Sequence, residues 1–248
     1  MTDDLPLLPG ATLGILGGGQ LGRMLAMEAH RMGYRVHVYD PIPGGPASQV
    51  ADLETNAPFE DAAALRAFFD AVDVATFEFE NIPTQALADL RSATAMHPKV
   101  DILRICQDRL LEKDFIASVG VPLAEYEELR SFDDLERFLE THPAAVIKTA
   151  RSGYDGKGQC KVKTGDDALS IWKLFEGKPA VIERLVSFEA EVSAIVARTP
   201  RGERSVYPIA RNVHVNHILD ATTGPAALDE SLAKRAAAIA ERLAEGLG

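Results

Sequence analysis

IKTARSGYDGKGQC, residues 147–160, sets Gly153, Gly156 and Gly158 between two short apolar stretches. AAVIKTA reads as a strand that carries Lys148, and CKVK reads as the strand that follows the loop. The order is strand–loop–strand, and the chain has no G-x-x-x-x-G-K-[ST], so the loop is not a P-loop. Glycines repeated between two strands make a flap whose backbone amides can close over phosphate oxygens. Lys157 within the loop and Lys148 before it add positive charge. A hairpin that binds nothing is the alternative.

Downstream, DDALSIWKLF reads as a helix. PAVIERLV, EAEVSAIVAR and SVYPIARNVHVN read as strands, with TPRGER the clearest turn, and the Ala-rich DESLAKRAAAIAERLAEGLG as an amphipathic helix. This half predicts an α+β unit with an antiparallel sheet. Glu183 ends one apolar strand and Glu191 opens the next. An apolar strand with a polar end can line a base slot, and a carboxylate beside it can accept ribose hydroxyls. The alternative is that both acids are solvated turn residues.

Upstream the texture differs. GILGGGQLGRM, residues 14–24, follows an apolar run and spaces Gly17, Gly19 and Gly22 as G-x-G-x-x-G. YRVHVYD, the next strand, ends on Asp40. Together they match the dinucleotide fingerprint, so an NAD(P)-dependent oxidoreductase, a purely structural turn and a turn for another ligand all stay open. Asp40 holds a ribose on the first reading and begins the turn into Pro41 on the second. Leu21, Met24, Leu25 and Met27 are expected to line the packing side of the helix after the loop. FEDAAALRAFFDAV reads as a helix, and DVATFEFEN as a strand with Glu78 and Glu80 at its end. This βαβαβ order predicts a parallel sheet with helices on both faces and right-handed crossovers. QDRLLEKDFIASVG and SFDDLERFLETH read as helices, the second with Ser131 as its N-cap.

Composition narrows the functional classes. The chain has 248 residues, 26 Lys+Arg against 37 Asp+Glu, and a net charge of −11. A long basic track for nucleic acid is not expected, although a local basic pocket for a small anion is compatible with that total. Cys106 and Cys160 have no metal-site or redox spacing. The opening MTDDLPLLPG is acidic and short, unlike a signal peptide, and no apolar run reaches the ~20 residues of a membrane span. A cytoplasmic protein without a membrane partner is expected.

GGGQLGRM, FEFENI, QDRLLEK, IKTARSGYDGKGQ, IERLVSFEAEVS and NVHVNHIL stand in the order and spacing of the ATP-grasp enzymes of purine biosynthesis. From about residue 11 to 230 the chain resembles that family, and GYDGKGQ with FEFENI is similar to its 5-(carboxyamino)imidazole ribonucleotide synthetases. The resemblance implies an α/β and α+β chain. Residues 1–107 would be a Rossmann-like pre-ATP-grasp substrate domain, 108–182 a lid subdomain with the glycine flap, and 183–248 the start of a larger ATP-grasp subdomain, incomplete at its C-terminal end. It also implies ATP-dependent carboxylation of aminoimidazole ribonucleotide by bicarbonate through carboxyphosphate, with magnesium, in a homodimer.

Residue by residue, the resemblance gives Lys148 and Arg109 to the nucleotide, and Gly153, Tyr154, Asp155, Gly156, Lys157, Gly158 and Gln159 to the flap. Tyr154 and Asp155 would lie near the aminoimidazole as catalytic residues. Glu183, Arg184, Leu185 and Val186 would form the adenine hinge, Glu191 would face the ribose, and His214 would sit in the nucleotide site. Gly19, Gln20, Leu21, Glu78 and Glu80 would meet the substrate, which leaves Asp40 without a nicotinamide cofactor to serve. Magnesium ligands are expected beyond Gly248, and none is assigned within the chain. Arg211 stands where relatives more often carry an acid. Formate-dependent glycinamide ribonucleotide transformylase and a non-catalytic nucleotide-binding module are the other readings.

Overall fold

The computed structural model describes residues 6–88, 90, 94–151, 153, 157–216 and 218–248. The chain divides into two compact units, Met1–Gln107 and Asp108–Gly248. No helix among the described residues is long and apolar enough to cross a membrane.

The first unit contains β1 (Thr12–Leu16), α1 (Gln20–Arg31), β2 (Arg35–Tyr39), β3 (Leu53–Thr55), α2 (Ala62–Asp70), β4 (Val74–Phe77), α3 (Thr84–Ala88), β5 (Ala95–Met96) and α4 (Val100–Cys106). Its sheet is parallel throughout, in the order β3-β2-β1-β4-β5. Successive side chains of a strand point to opposite faces, and β1 uses both. Ile15 joins Val36, Val38, Ala26 and Ala29 on one face, while Leu16 joins Tyr39, Leu65, Phe68 and Phe69 on the other. A parallel sheet with both faces covered is the expected outcome of the βαβαβ reading.

The packing side of α1 is a correction. Its buried residues are Gly22, Ala26 and Ala29, whereas Leu21, Met24, Leu25 and Met27 face solvent. The helix starts too close to the glycine turn for large side chains. A Cβ on Gly22 would lie 3.1 Å from the Gly17 carbonyl oxygen and 3.2 Å from the Ala47 methyl. Close approach, not apolar bulk, selects this face.

The second unit contains α5 (Arg109–Ser118), β6 (Tyr126–Leu129), α6 (Phe132–Thr141), β7 (Ala144–Thr149), β8 (Gln159–Lys163), α7 (Ala168–Lys173) and β9 (Ala180–Arg184). These are followed by β10 (Glu191–Ser193), β11 (Val196–Arg198), β12 (Arg204–Val206), β13 (Ala210–Val215), β14 (Ile218–Thr223) and α8 (Glu230–Leu247). The main sheet is antiparallel in the order β6-β9-β7-β8. Ser131 caps α6 in a capping box, accepting from the Asp134 N–H while the Asp134 carboxylate accepts from the Ser131 N–H.

The two stretches read as single long strands are each divided. EAEVSAIVAR supplies β10 to a three-stranded sheet and β11 to a separate hairpin with β12. SVYPIARNVHVN supplies β12 and β13, with Pro208 between them. Proline has no N–H to give a ladder, so the pairing changes partners there.

Candidate functional site

Register gives the main sheet of the second unit two chemically different faces. Ala145, Ile147, Val162, Ala180, Ile182 and Leu129 share one face and form its core. The alternate residues Val146, Lys148, Gln159, Lys161 and Glu183 share the opposite face. That face floors a cleft of about 1160 Å³, which the non-strand segment 185–188 after β9, Glu191 at the start of β10 and His214 near the end of β13 also line. Arg109, Lys148, Lys157 and Lys161 bring positive charge to it against Glu183 and Glu191, in a chain whose net charge is −11, while the Arg184 guanidinium pairs with Glu125.

The cleft gathers most of the residues selected from the sequence. Arg109, Lys148, Gly153, Lys157, Gly158, Gln159, Glu183, Arg184, Leu185, Val186, Glu191 and His214 all line it. Tyr154, Asp155 and Gly156 lie outside the described residues. Ala124, Val146, Lys161, Ser187, Phe188 and Asn216 also line the cleft and were not selected. Lys161 was legible in principle, because it follows Gln159 by two positions on the same strand.

Arg109 opens α5, whose first turn is capped by Asp108 through the N–H groups of Leu110 and Leu111. Its guanidinium donates to the Thr149 carbonyl at 2.7 Å and to the Gly153 carbonyl at 2.5 Å, and so joins the end of β7 to the flap. The flap neck is closed by the Thr149 N–H donating to the Gly158 carbonyl at 2.8 Å. Gly158 has φ +71°, and a Cβ there would come within 2.7 Å of the Thr149 hydroxyl. Glycine is required at that position on both counts.

Glu183 is not a solvated turn acid. It is 8% exposed, and its two carboxylate oxygens pair separately with the Lys113 and Lys148 ammonium groups. Burial by itself pushes this carboxyl up. The hydrogen bonds and charges of Lys113 and Lys148 outweigh it and hold the group below the usual glutamate range. The Lys113 ammonium also stands 5.3 Å from the Tyr126 ring centroid. Lys113 was missed, although it lies one helical turn after Arg109, on the same side of α5. His214 Nδ1 lies 2.8 Å from Glu191 Oε2, next to an irregularity in the β13–β14 register between Val213 and His214.

The glycine turn of the first unit sits where the strand order reverses, beyond the carboxyl ends of β1 and β4. Its amides are already in use. The Gly18 N–H donates to Asp40 Oδ2 at 2.7 Å, and the Gly19 N–H to Glu78 Oε2 at 3.2 Å. Asp40 also accepts from the Ile42 N–H, as a turn-forming acid does. Gln20, Leu21 and Glu80 are exposed around this turn. Among the described residues no group of three or more His, Cys, Asp or Glu is placed to hold a metal ion.

These two units correspond to two known domains. The model of the ribonucleotide synthetase preATP-grasp domain matches residues 10–107, and that of the ATP-grasp domain matches residues 114–248. They define an ATP-grasp protein with a preATP-grasp domain ahead of it. The chain is 40% identical over 242 residues to the N5-carboxyaminoimidazole ribonucleotide synthase of Bacillus subtilis, covering 97% of this chain and 64% of that protein. It is 40% identical over 251 residues to the synthase of Brucella melitensis, covering 99% and 68%. An ADP complex of an N5-carboxyaminoimidazole ribonucleotide synthetase superposes with a TM-score of 0.92 at 40% identity, over 97% of this chain and 64% of that one. The chain belongs to the N5-carboxyaminoimidazole ribonucleotide synthase family and spans about two thirds of the length of these relatives.

Proposed function

We propose that the whole protein carboxylates 5-aminoimidazole ribonucleotide with bicarbonate at the expense of ATP, giving N5-carboxyaminoimidazole ribonucleotide, ADP and phosphate. The observation that supports this best is the basic cleft on the polar face of the β6-β9-β7-β8 sheet, together with the family's name. The adenine nucleotide takes this cleft. Leu185 and Val186 flank the base, and the backbone from Glu183 to Val186 bonds its edge. Glu191, oriented by His214, accepts the ribose hydroxyls.

Arg109, Lys148 and the flap residues Gly153, Lys157, Gly158 and Gln159 serve the phosphates, and the roles of Tyr154 and Asp155 near the aminoimidazole and of Gly156 in the flap rest on the family resemblance alone. A bicarbonate oxygen attacks the γ-phosphorus and ADP leaves, forming carboxyphosphate. The aminoimidazole nitrogen then attacks the carboxyl carbon, phosphate leaves, and the nitrogen gives up a proton. The transferred phosphoryl group needs positioning and positive charge more than covalent partners, and Lys148 and Arg109 supply both. A closed flap keeps water from an intermediate that hydrolyses readily.

The glycine turn with Gly19, Gln20, Leu21, Glu78 and Glu80 is assigned to the aminoimidazole ribonucleotide. A turn whose amides already hold carboxylates disfavours a pyrophosphate at that spot and suits the amine or ribose hydroxyls of the ribonucleotide, its own phosphate lying elsewhere. That argues against the NAD(P) reading. Residues 108–182 act as the lid subdomain and 183–248 as the start of the larger one. Magnesium supplies charge to the ATP phosphates. The described residues hold no group of three or more His, Cys, Asp or Glu that would ligate it. A cytoplasmic homodimer completes the reading.

The test is ADP release by the full-length enzyme with bicarbonate, with and without aminoimidazole ribonucleotide. Release that rises several-fold with the ribonucleotide is expected. Stimulation by formate and glycinamide ribonucleotide instead would assign the chain to the other purine enzyme.

A further inference from the structure

Lys113 has no role in the site described so far, yet it pairs with one oxygen of Glu183, the one buried carboxylate among the described residues of the cleft floor. It reaches Glu183 from α5, and Lys148 reaches the same carboxylate from β7, each on its own oxygen. The two lysines are not equivalent. The Lys113 side chain is 14% exposed and backed by the Tyr126 ring, whereas that of Lys148 is 29% exposed and lines the cleft.

The charge count of this triad makes the difference functional. With Glu183 and Lys148 alone, a buried carboxylate would hold the cleft lysine in a neutral pair. An entering phosphate would have to take that lysine away and leave the carboxylate unpaired in a poorly solvated place, which is costly. With Lys113 present, the carboxylate keeps a partner when Lys148 turns to the ligand. The triad also carries one net positive charge into the cleft.

We propose that Lys113 is a positioning residue for nucleotide binding: it holds Glu183 so that Lys148 is free to meet the ligand's phosphates. The inference rests on the reading of the cleft as an adenine nucleotide site. It concerns the polyphosphate and not the base, because Lys113 contacts Glu183 and Tyr126 rather than the cleft. A merely structural lysine would, on removal, weaken all adenine ligands alike. A positioning charge would weaken only the phosphorylated ones.

The test compares ATP and adenosine binding to the 248-residue chain by calorimetry, with adenosine measured by competition where its heat is small. Wild type is compared with Lys113→Met, Lys113→Arg and the Glu183→Gln/Lys113→Met double variant. Lys113→Met is expected to weaken ATP about tenfold and adenosine less than about twofold, the size of effect one partly screened charge produces. Lys113→Arg keeps the charge, and the double variant restores the triad's net charge, so both should recover most of the ATP affinity. Equal losses for ATP and adenosine, or no loss for either, overturn the inference.

Should Lys113→Met fail to fold, Glu183→Gln and the double variant carry the test. The single variant, with one more net positive charge, should bind ATP more tightly and with a steeper salt dependence than the double. Indistinguishable ATP binding by these two overturns the inference. Wild type that binds neither ATP nor adenosine would instead remove the nucleotide reading of the cleft, and this inference with it.

Discussion

The Gly19 N–H, in the middle of a dinucleotide-type turn, donates to the Glu78 carboxylate at 3.2 Å. Its neighbour Gly18 donates to Asp40 at 2.7 Å. Unpaired amides at a helix N-terminus attract an anion, and here two side chains of the same unit supply that anion. A pyrophosphate would meet two carboxylates where a dinucleotide enzyme offers free N–H groups.

NAD and NADP are therefore expected to give no measurable binding heat with this chain, and Asp40→Ala is expected to leave that unchanged. Titration calorimetry with the two dinucleotides checks it. Tight NAD binding that disappears in Asp40→Ala would return the turn to the dinucleotide reading.

Glu191 Oε2 lies 2.8 Å from His214 Nδ1, and both residues line the cleft. In the full-length enzyme, Glu191→Gln should raise KM for ATP by about tenfold, the cost of one charge-assisted hydrogen bond. KM for the aminoimidazole ribonucleotide should change far less. Steady-state kinetics with each substrate varied in turn reads the difference, and equal changes in both constants would count against Glu191 on the ribose.

Glu183 makes stability depend on pH with a definite sign. Its folded carboxyl titrates below the usual glutamate range because of Lys113 and Lys148, despite its burial. Its contribution is therefore full above the unfolded value of about 4.3 and fades as pH falls through the lower folded value. Urea melts of wild type and Glu183→Gln should differ most near neutral pH and converge in acid. A stability gap that widens on acidification would mean that the carboxylate is not held in its charged form.

Helix α6 offers a check on local energetics away from any site. Both halves of its capping box are formed, Ser131 with the Asp134 N–H and Asp134 with the Ser131 N–H. Ser131→Ala should cost about 1 kcal/mol of stability with no change in nucleotide affinity. Denaturant unfolding and an ATP titration on the same preparation read both.

How much of this was legible in the sequence depends on the range of the interaction. The parallel first unit was readable because β1, α1 and β2 follow one another and carry their own periodicity and glycine punctuation. The antiparallel half was readable because Lys148 and Gln159 bracket the glycine loop on strands that pair directly. The face of α1 was not, because Leu21, Met24, Leu25 and Met27 look like a packing stripe until the closeness of Gly17 and Ala47 to Gly22 is known. Lys113 was missed for a related reason. Its partner Glu183 is distant in sequence, and only the β6–β9 pairing of Tyr126 with Glu183 brings that carboxylate beneath α5. The division of the later strands turns on Pro208 and on partner changes that no local pattern records.

On the proposed function, the second unit's cleft takes the phosphates of an adenine nucleotide through Lys148. The direct measurement is equilibrium ATP binding to wild type and Lys148→Ala at equal ionic strength, with a thermal melt of each. Wild type should bind, and the variant should bind about ten- to a hundredfold more weakly while still unfolding cooperatively, as loss of a hydrogen bond to a charged group implies. ATP binding of the same strength in a folded Lys148→Ala variant would contradict it.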